Sequence, residues 1–85
     1  MKPLLDVLII LDALEKEGSF AAASAKLYKT PSALSYTVQK LESDLNIQIL
    51  DRSGHRARFT RTGQMLLEKG REVLHTVREL EKQAV

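Results

Sequence analysis

Apolar residues recur along this chain at helical spacing in separate stretches, and the breaks between stretches carry residues that cap or turn helices. Leu4, Val7, Leu8, Leu11 and Leu14 make one stripe over Lys2 to Glu17, and Leu5, Ile9 and Ala13 make a second. A helix with two apolar sides predicts two neighbours, the domain core and another subunit. Gly18 fits a helix stop and Ser19 an N-cap, after which Phe20, Ala23 and Leu27 mark a second helix. Its run Ala21-Ala22-Ala23-Ser24-Ala25 is small enough to let another helix approach closely.

Tyr28 and Lys29 bridge to Thr30, an N-cap candidate, with Pro31 at the first helical position, where its missing N–H costs nothing. The third helix spans about residues 31–45. Leu34, Val38, Leu41 and Leu45 fall within about 60° of one another and form its buried stripe. Ser32, Ser35, Tyr36, Gln39 and Ser43 fall opposite, a face that is polar but almost uncharged. Helices that meet only water usually carry Glu and Lys there, whereas hydroxyls, an amide and a phenol can bond base edges in a major groove. Two helices joined by so short a turn predict a helix-turn-helix.

Beyond it, Ile47, Ile49 and Leu50 lead into Asp51 and Arg52, Ser53-Gly54 supplies turn residues, and Arg56-Ala57-Arg58-Phe59 alternates polar and apolar. A two-stranded wing follows, with Ala57 and Phe59 toward the core and Arg56 and Arg58 outward. Thr60 caps a last helix over about 61–84, in which Leu66, Gly70, Val73, Val77, Leu80 and Ala84 repeat at alternating spacings of 4 and 3. That heptad seam predicts a dimer contact. The fold class is mainly α: a winged helix-turn-helix over residues 1–62 with a two-stranded wing, then a long C-terminal linker and dimerisation helix over 63–85.

Charge changes the picture only when it is followed along the chain. The formal net charge of the 85 residues is +2. Residues 28–63 hold Lys29, Lys40, Arg52, Arg56, Arg58 and Arg61 against Glu42, Asp44 and Asp51, while the flanking segments nearly balance. From Arg52 to Arg61 there are four arginines, His55 and no acid. Such a cluster repels itself in water and fits a phosphate backbone. A solvated basic loop is the alternative. There is no cysteine, hence no disulfide framework and no thiolate zinc site. The apolar run Val7 to Leu11 is too short to cross a bilayer, so the expectation is a soluble, cytoplasmic protein with no membrane contact.

Glu17-Gly18-Ser19-Phe20-Ala21-Ala22-Ala23, Ser32-Ala33-Leu34-Ser35, Val38-Gln39-Lys40-Leu41-Glu42, Leu50-Asp51-Arg52 and Phe59-Thr60-Arg61-Thr62-Gly63 resemble, in order and spacing, the N-terminal domain of LysR-type transcriptional regulators. The resemblance covers essentially the whole chain. It implies a bacterial, nucleoid-associated regulator that binds a double-stranded DNA operator as a homodimer, or as a tetramer at full length. Pro31, Ser32, Ser35, Tyr36 and Gln39 are the candidate base-reading set. Candidate backbone or wing contacts are Lys29, Thr30, Lys40, Arg52, His55, Arg56 and Arg58, and candidate dimer contacts are Leu66, Val73, Val77, Leu80, Leu5 and Ile9. Many members carry Gln at the position of Pro31 and Arg at that of Tyr36, which implies an operator unlike theirs. Full-length members add an effector-binding domain, so a small-molecule effector and its site are expected outside these residues, with no cofactor or metal within them.

An enzyme would have to be built from His55, His75, the serines and scattered acids, and no catalytic or metal-ligand spacing joins them. The other alternative is a protein-interaction module that uses the heptad helix and keeps the helix-turn-helix as scaffold. Binding to random duplex DNA that falls steeply with salt separates these readings.

Overall fold

In the computed structural model, which describes residues 4–53 and 58–85, three of the helices begin at a hydroxyl cap. Ser19, Thr30 and Thr60 hold extended dihedrals, and their side-chain oxygens accept from the N–H groups of Ala22 (3.1 Å), Ala33 (3.1 Å) and Gly63 (3.0 Å). Each such cap stabilises its helix by about 1 kcal/mol. The resulting order is α1 (Leu4–Glu17), α2 (Phe20–Leu27), α3 (Pro31–Leu45), β1 (Leu50–Asp51), β2 (Arg58–Phe59) and α4 (Arg61–Ala84). The strands pair antiparallel, with Leu50 opposite Phe59 and Asp51 opposite Arg58.

Helix α1 packs against α2, α3 and α4 together. Its buried arc is therefore wider than one stripe: Ile10 is buried along with Val7, Leu8, Leu11, Ala13 and Leu14. Ala13 thus belongs to the core rather than to a second surface. Leu4, expected in the core stripe, is 42% exposed at the start of the helix, whereas Leu5 and Ile9 stay exposed as expected. In α3, Leu34, Val38 and Leu41 are buried, but Leu45 is 41% exposed. The stripe runs out there because Asn46, in the left-handed region at φ 53°, caps the helix and turns the chain away.

The long last helix meets the core along a row one residue removed from the expected seam. Gly63, Leu67, Gly70 and Leu74 are its buried positions. A Cβ on Gly70 would lie 2.6 Å from Leu8 Cδ2, so the bare glycine lets α1 settle against α4. Beside it Arg71 Nε donates to Asp12 Oδ1 at 2.8 Å, and Lys16 Nζ lies 3.1 Å from Asp12 Oδ2. Burial works to raise the Asp12 pKa, but the Arg71 and Lys16 hydrogen bonds and charges outweigh it and hold the carboxyl below its ordinary value. The contact is therefore at full strength at neutral pH and fades in acid as Asp12 protonates. Leu66 packs half-buried on the core, and Gly70 is buried against α1. Val73 and Leu80 remain exposed and Val77 half-buried.

Gly63 solves a different problem. A Cβ there would collide with the Ile49 carbonyl oxygen, which is backbone and has no rotamer to yield with. Gly63→Ala should therefore destabilise the fold by about 1–3 kcal/mol, although alanine intrinsically favours a helix by about 1 kcal/mol. Gly70→Ala meets only a leucine side chain and should cost distinctly less. Urea denaturation of the two variants checks the contrast, and equal losses would contradict it.

Candidate nucleic-acid interface

The turn between α2 and α3 is built from the end of one helix and the cap of the next. Tyr28 adopts the left-handed conformation (φ 57°, ψ 41°), its N–H donating to the Ala25 carbonyl at 3.3 Å, and the Lys29 N–H reaches the Ser24 carbonyl at 2.9 Å. These bonds close α2 and send the chain directly into Thr30. The Tyr28 side chain is left 94% exposed. Thr30 then accepts the Ala33 N–H, lies 3.4 Å from Ser32 Oγ, and places Pro31 at the first helical position. The geometry is the expected helix-turn-helix.

On the outer side of α3, Pro31, Ser32, Tyr36, Gln39 and Ser43 are exposed and Ser35 is half-buried. Tyr36 keeps 65% of its surface in solvent, away from the Leu34, Val38 and Leu41 stripe. Lys40 points out as well, with Asp44 one turn later at 3.6 Å, so part of its charge is matched within the helix. Lys29 lies at the edge of a groove of about 340 Å³ that runs among α1, α2 and α3 and is floored by Ile9, Ile10, Leu27 and Leu34.

After α3 the chain crosses to the wing. Asp51 Oδ1 accepts from the Ser53 hydroxyl at 2.7 Å and the Ser53 N–H at 3.0 Å, an Asx turn that bends the chain out of β1. Those two bonds, and Arg58 facing Asp51 across the ladder, hold the Asp51 carboxyl below its usual pKa. The described part of the wing thus carries exposed Arg52 and Arg58. His55, expected in the wing turn, and Arg56 and Ala57, expected on its second strand, lie outside the described residues.

One residue that joins these parts is not apparent from the sequence. Glu42 sits on the buried side of α3 at 7% exposure, where its Oε2 accepts the N–H groups of Ile49 at 2.7 Å and Leu50 at 3.1 Å. Its Oε1 faces Arg52 Nη1 at 3.3 Å. An acid in a helix reads as solvation, yet Glu42 lies only about 40° around the helix from Val38, and that placement on the apolar stripe is the signal that could have found it. Arg52, a candidate backbone contact, is tied at one nitrogen to α3 and keeps a side-chain exposure of 34%.

Among the described residues no group of three or more histidines and acids could hold a metal ion, and no helix is long and apolar enough to cross a membrane.

Known proteins share this arrangement. Residues 5–64 match the family described as bacterial regulatory helix-turn-helix protein, lysR family. The chain is 93% identical over its 85 residues to the HTH-type transcriptional regulator YeeY of Escherichia coli (strain K12), spanning 28% of that protein. It is 53% identical over 76 residues, 89% of its length, to the HTH-type transcriptional regulator YhaJ of Escherichia coli O157:H7, of which it spans 26%. The chain is thus about a quarter as long as these relatives. The crystal structure of a BenM DBD in complex with catB site 1 DNA superposes with a TM-score of 0.86 at 29% identity, covering 94% of this chain and 90% of that one. A CbnR DBD–DNA complex superposes with a TM-score of 0.83 at 26% identity, covering 94% and 92%.

Proposed function

Since the chain belongs to the lysR family of bacterial regulatory helix-turn-helix proteins, we propose that it is the operator-reading part of a transcription regulator and that α3 enters the major groove of double-stranded DNA. The observation that carries this reading is the outer face of α3, where Ser32, Tyr36 and Gln39 are exposed and, unlike Lys40, carry no charge. Pro31, Ser32, Ser35, Tyr36 and Gln39 read bases, directly or by shape. Lys29, Thr30, Lys40, Arg52 and Arg58, with His55 and Arg56, meet the sugar-phosphate backbone on either side. The likeness to the BenM and CbnR DNA complexes supports the same placement.

The functional unit in this reading is a homodimer, with residues 63–85 as its linker and dimerisation helix. Twenty-four residues make α4 about 36 Å long, and Leu74 is the last of its buried positions. Val73, Val77 and Leu80, together with Leu5 and Ile9 on α1, supply the apolar surface. Tetramer formation and an effector site belong, in the same reading, to parts of a longer regulator, and the domain itself works in the cytoplasm without a cofactor.

Leu80→Glu places a charge on a residue that is 60% exposed, so it should leave the domain folded and convert the dimer to monomer. Sedimentation at micromolar concentration reads the change, and an unaltered mass would remove Leu80 from the interface. Tyr36→Ala should leave thermal stability nearly unchanged and weaken a selected operator by about 1–3 kcal/mol more than a random duplex. Arg58→Ala should instead weaken both alike and lower the slope of log K against log salt by about 0.9. Anisotropy titrations across salt concentrations distinguish the two patterns, and equal losses on both DNAs would make Tyr36 a backbone contact.

A further inference from the structure

The base-facing helix and the basic wing are separate in sequence, and a single buried carboxylate fastens one to the other. Glu42 spends one oxygen on the Ile49 and Leu50 N–H groups and the other on Arg52. The two partners of the ion pair differ in surroundings: the Glu42 side chain is 8% exposed and that of Arg52 34%. A guanidinium offers five N–H donors in a rigid fork, so a bond to Glu42 at Nη1 leaves donors for a second anion. A lysine ammonium in that place would be a single point charge on a flexible stem.

Resting on the reading that Arg52 meets a backbone phosphate, we propose that Glu42 is a positioning residue for DNA binding, which holds the Arg52 guanidinium at a fixed offset from the base-facing side of α3. Phosphate contact and base contact are then made in one register. Arg52 bridges two anions, Glu42 inside the fold and the phosphate outside it. Electrostatics without positioning gives the opposite sign. An anion 3.3 Å from Arg52 opposes a phosphate at the same group, so deleting that anion would tighten binding.

The test compares wild type, Glu42→Gln, Arg52→Ala, Arg52→Lys and the double variant Glu42→Gln/Arg52→Ala. Each is titrated with a duplex selected by the wild-type chain from a random pool, and with random duplex, over a range of salt. Glutamine keeps a carbonyl oxygen for the Ile49 and Leu50 N–H groups but loses the charge that holds Arg52. Glu42→Gln is expected to weaken the selected duplex by about tenfold, the size of a charged hydrogen bond, despite removing a negative charge. Its salt slope should flatten toward that of Arg52→Ala, and the double variant should bind no worse than Arg52→Ala alone. Arg52→Lys should also lose affinity several-fold. Equal or tighter binding by Glu42→Gln, or losses that multiply in the double variant, would overturn the proposal. Should thermal melts show Glu42→Gln unfolded, Arg52→Lys decides, because full affinity with a lysine would mean that charge suffices. A wild-type chain that binds no duplex would overturn the DNA-reading function itself, and with it this inference.

Discussion

The backbone at Ile49 and Leu50 is where the parts of this domain are made to agree. Its two N–H groups end on the Glu42 carboxylate of α3. The Ile49 carbonyl receives the Thr60 N–H at 3.0 Å and its hydroxyl at 3.2 Å, at the point where α4 begins. Gly63, one turn into α4, leaves room for that same carbonyl. Ile49 and Leu50 are themselves buried at 0% and 2% exposure. An extended segment in the core cannot leave its polar groups unpaired, since each orphan costs about 1–3 kcal/mol. Here the partners come from α3 and from the cap of α4, so satisfying the segment fixes α3, the wing and α4 relative to one another.

That arrangement has a functional consequence under the proposed reading, in which the domain touches DNA at several points. Base contacts specify and backbone contacts set register, and neither helps if the two can drift. The polar side of α3 is held from behind by Leu34, Val38 and Leu41 in the core, and from one end by Glu42. The wing leaves the same anchored segment, so its arginines start from a defined place. On the far side, α1 touches α2, α3 and α4, and its contact with α4 through Gly70 and the Asp12–Arg71 pair ties α4 to the rest of the domain.

The helices, their caps and the short turn were legible because local chemistry decides them. Thr30 followed by Pro31 carries a helix start in its own chemistry, and the uncharged face of α3 stands out against the charged surface of α4. What escaped is what depends on contact. Glu42 and the acids of α4 look alike in a sequence, but one is buried with three partners. Two apolar rows lie side by side on α4, Leu66-Val73-Leu80 and Leu67-Leu74, and periodicity cannot say which of them faces the core. The structure gives the core Leu67 and Leu74 and leaves Val73 and Leu80 outside. Likewise Leu45 fits the stripe of α3 by angle, and only the turn at Asn46 shows that the core ends before it. The wing was legible in outline through Asp51 and Arg58, while His55 and Arg56 lie outside the described residues.

The claim that α3 and the wing form one reading head is met most directly by a footprint. A duplex selected by the chain from a random pool is exposed to hydroxyl radicals with and without protein, at one salt concentration. A rigid head on a twofold dimer predicts two related half-sites, each with a protected backbone segment flanking the bases enriched by selection. Enrichment of no sequence over the input pool, or protection spread evenly along the duplex, would contradict it.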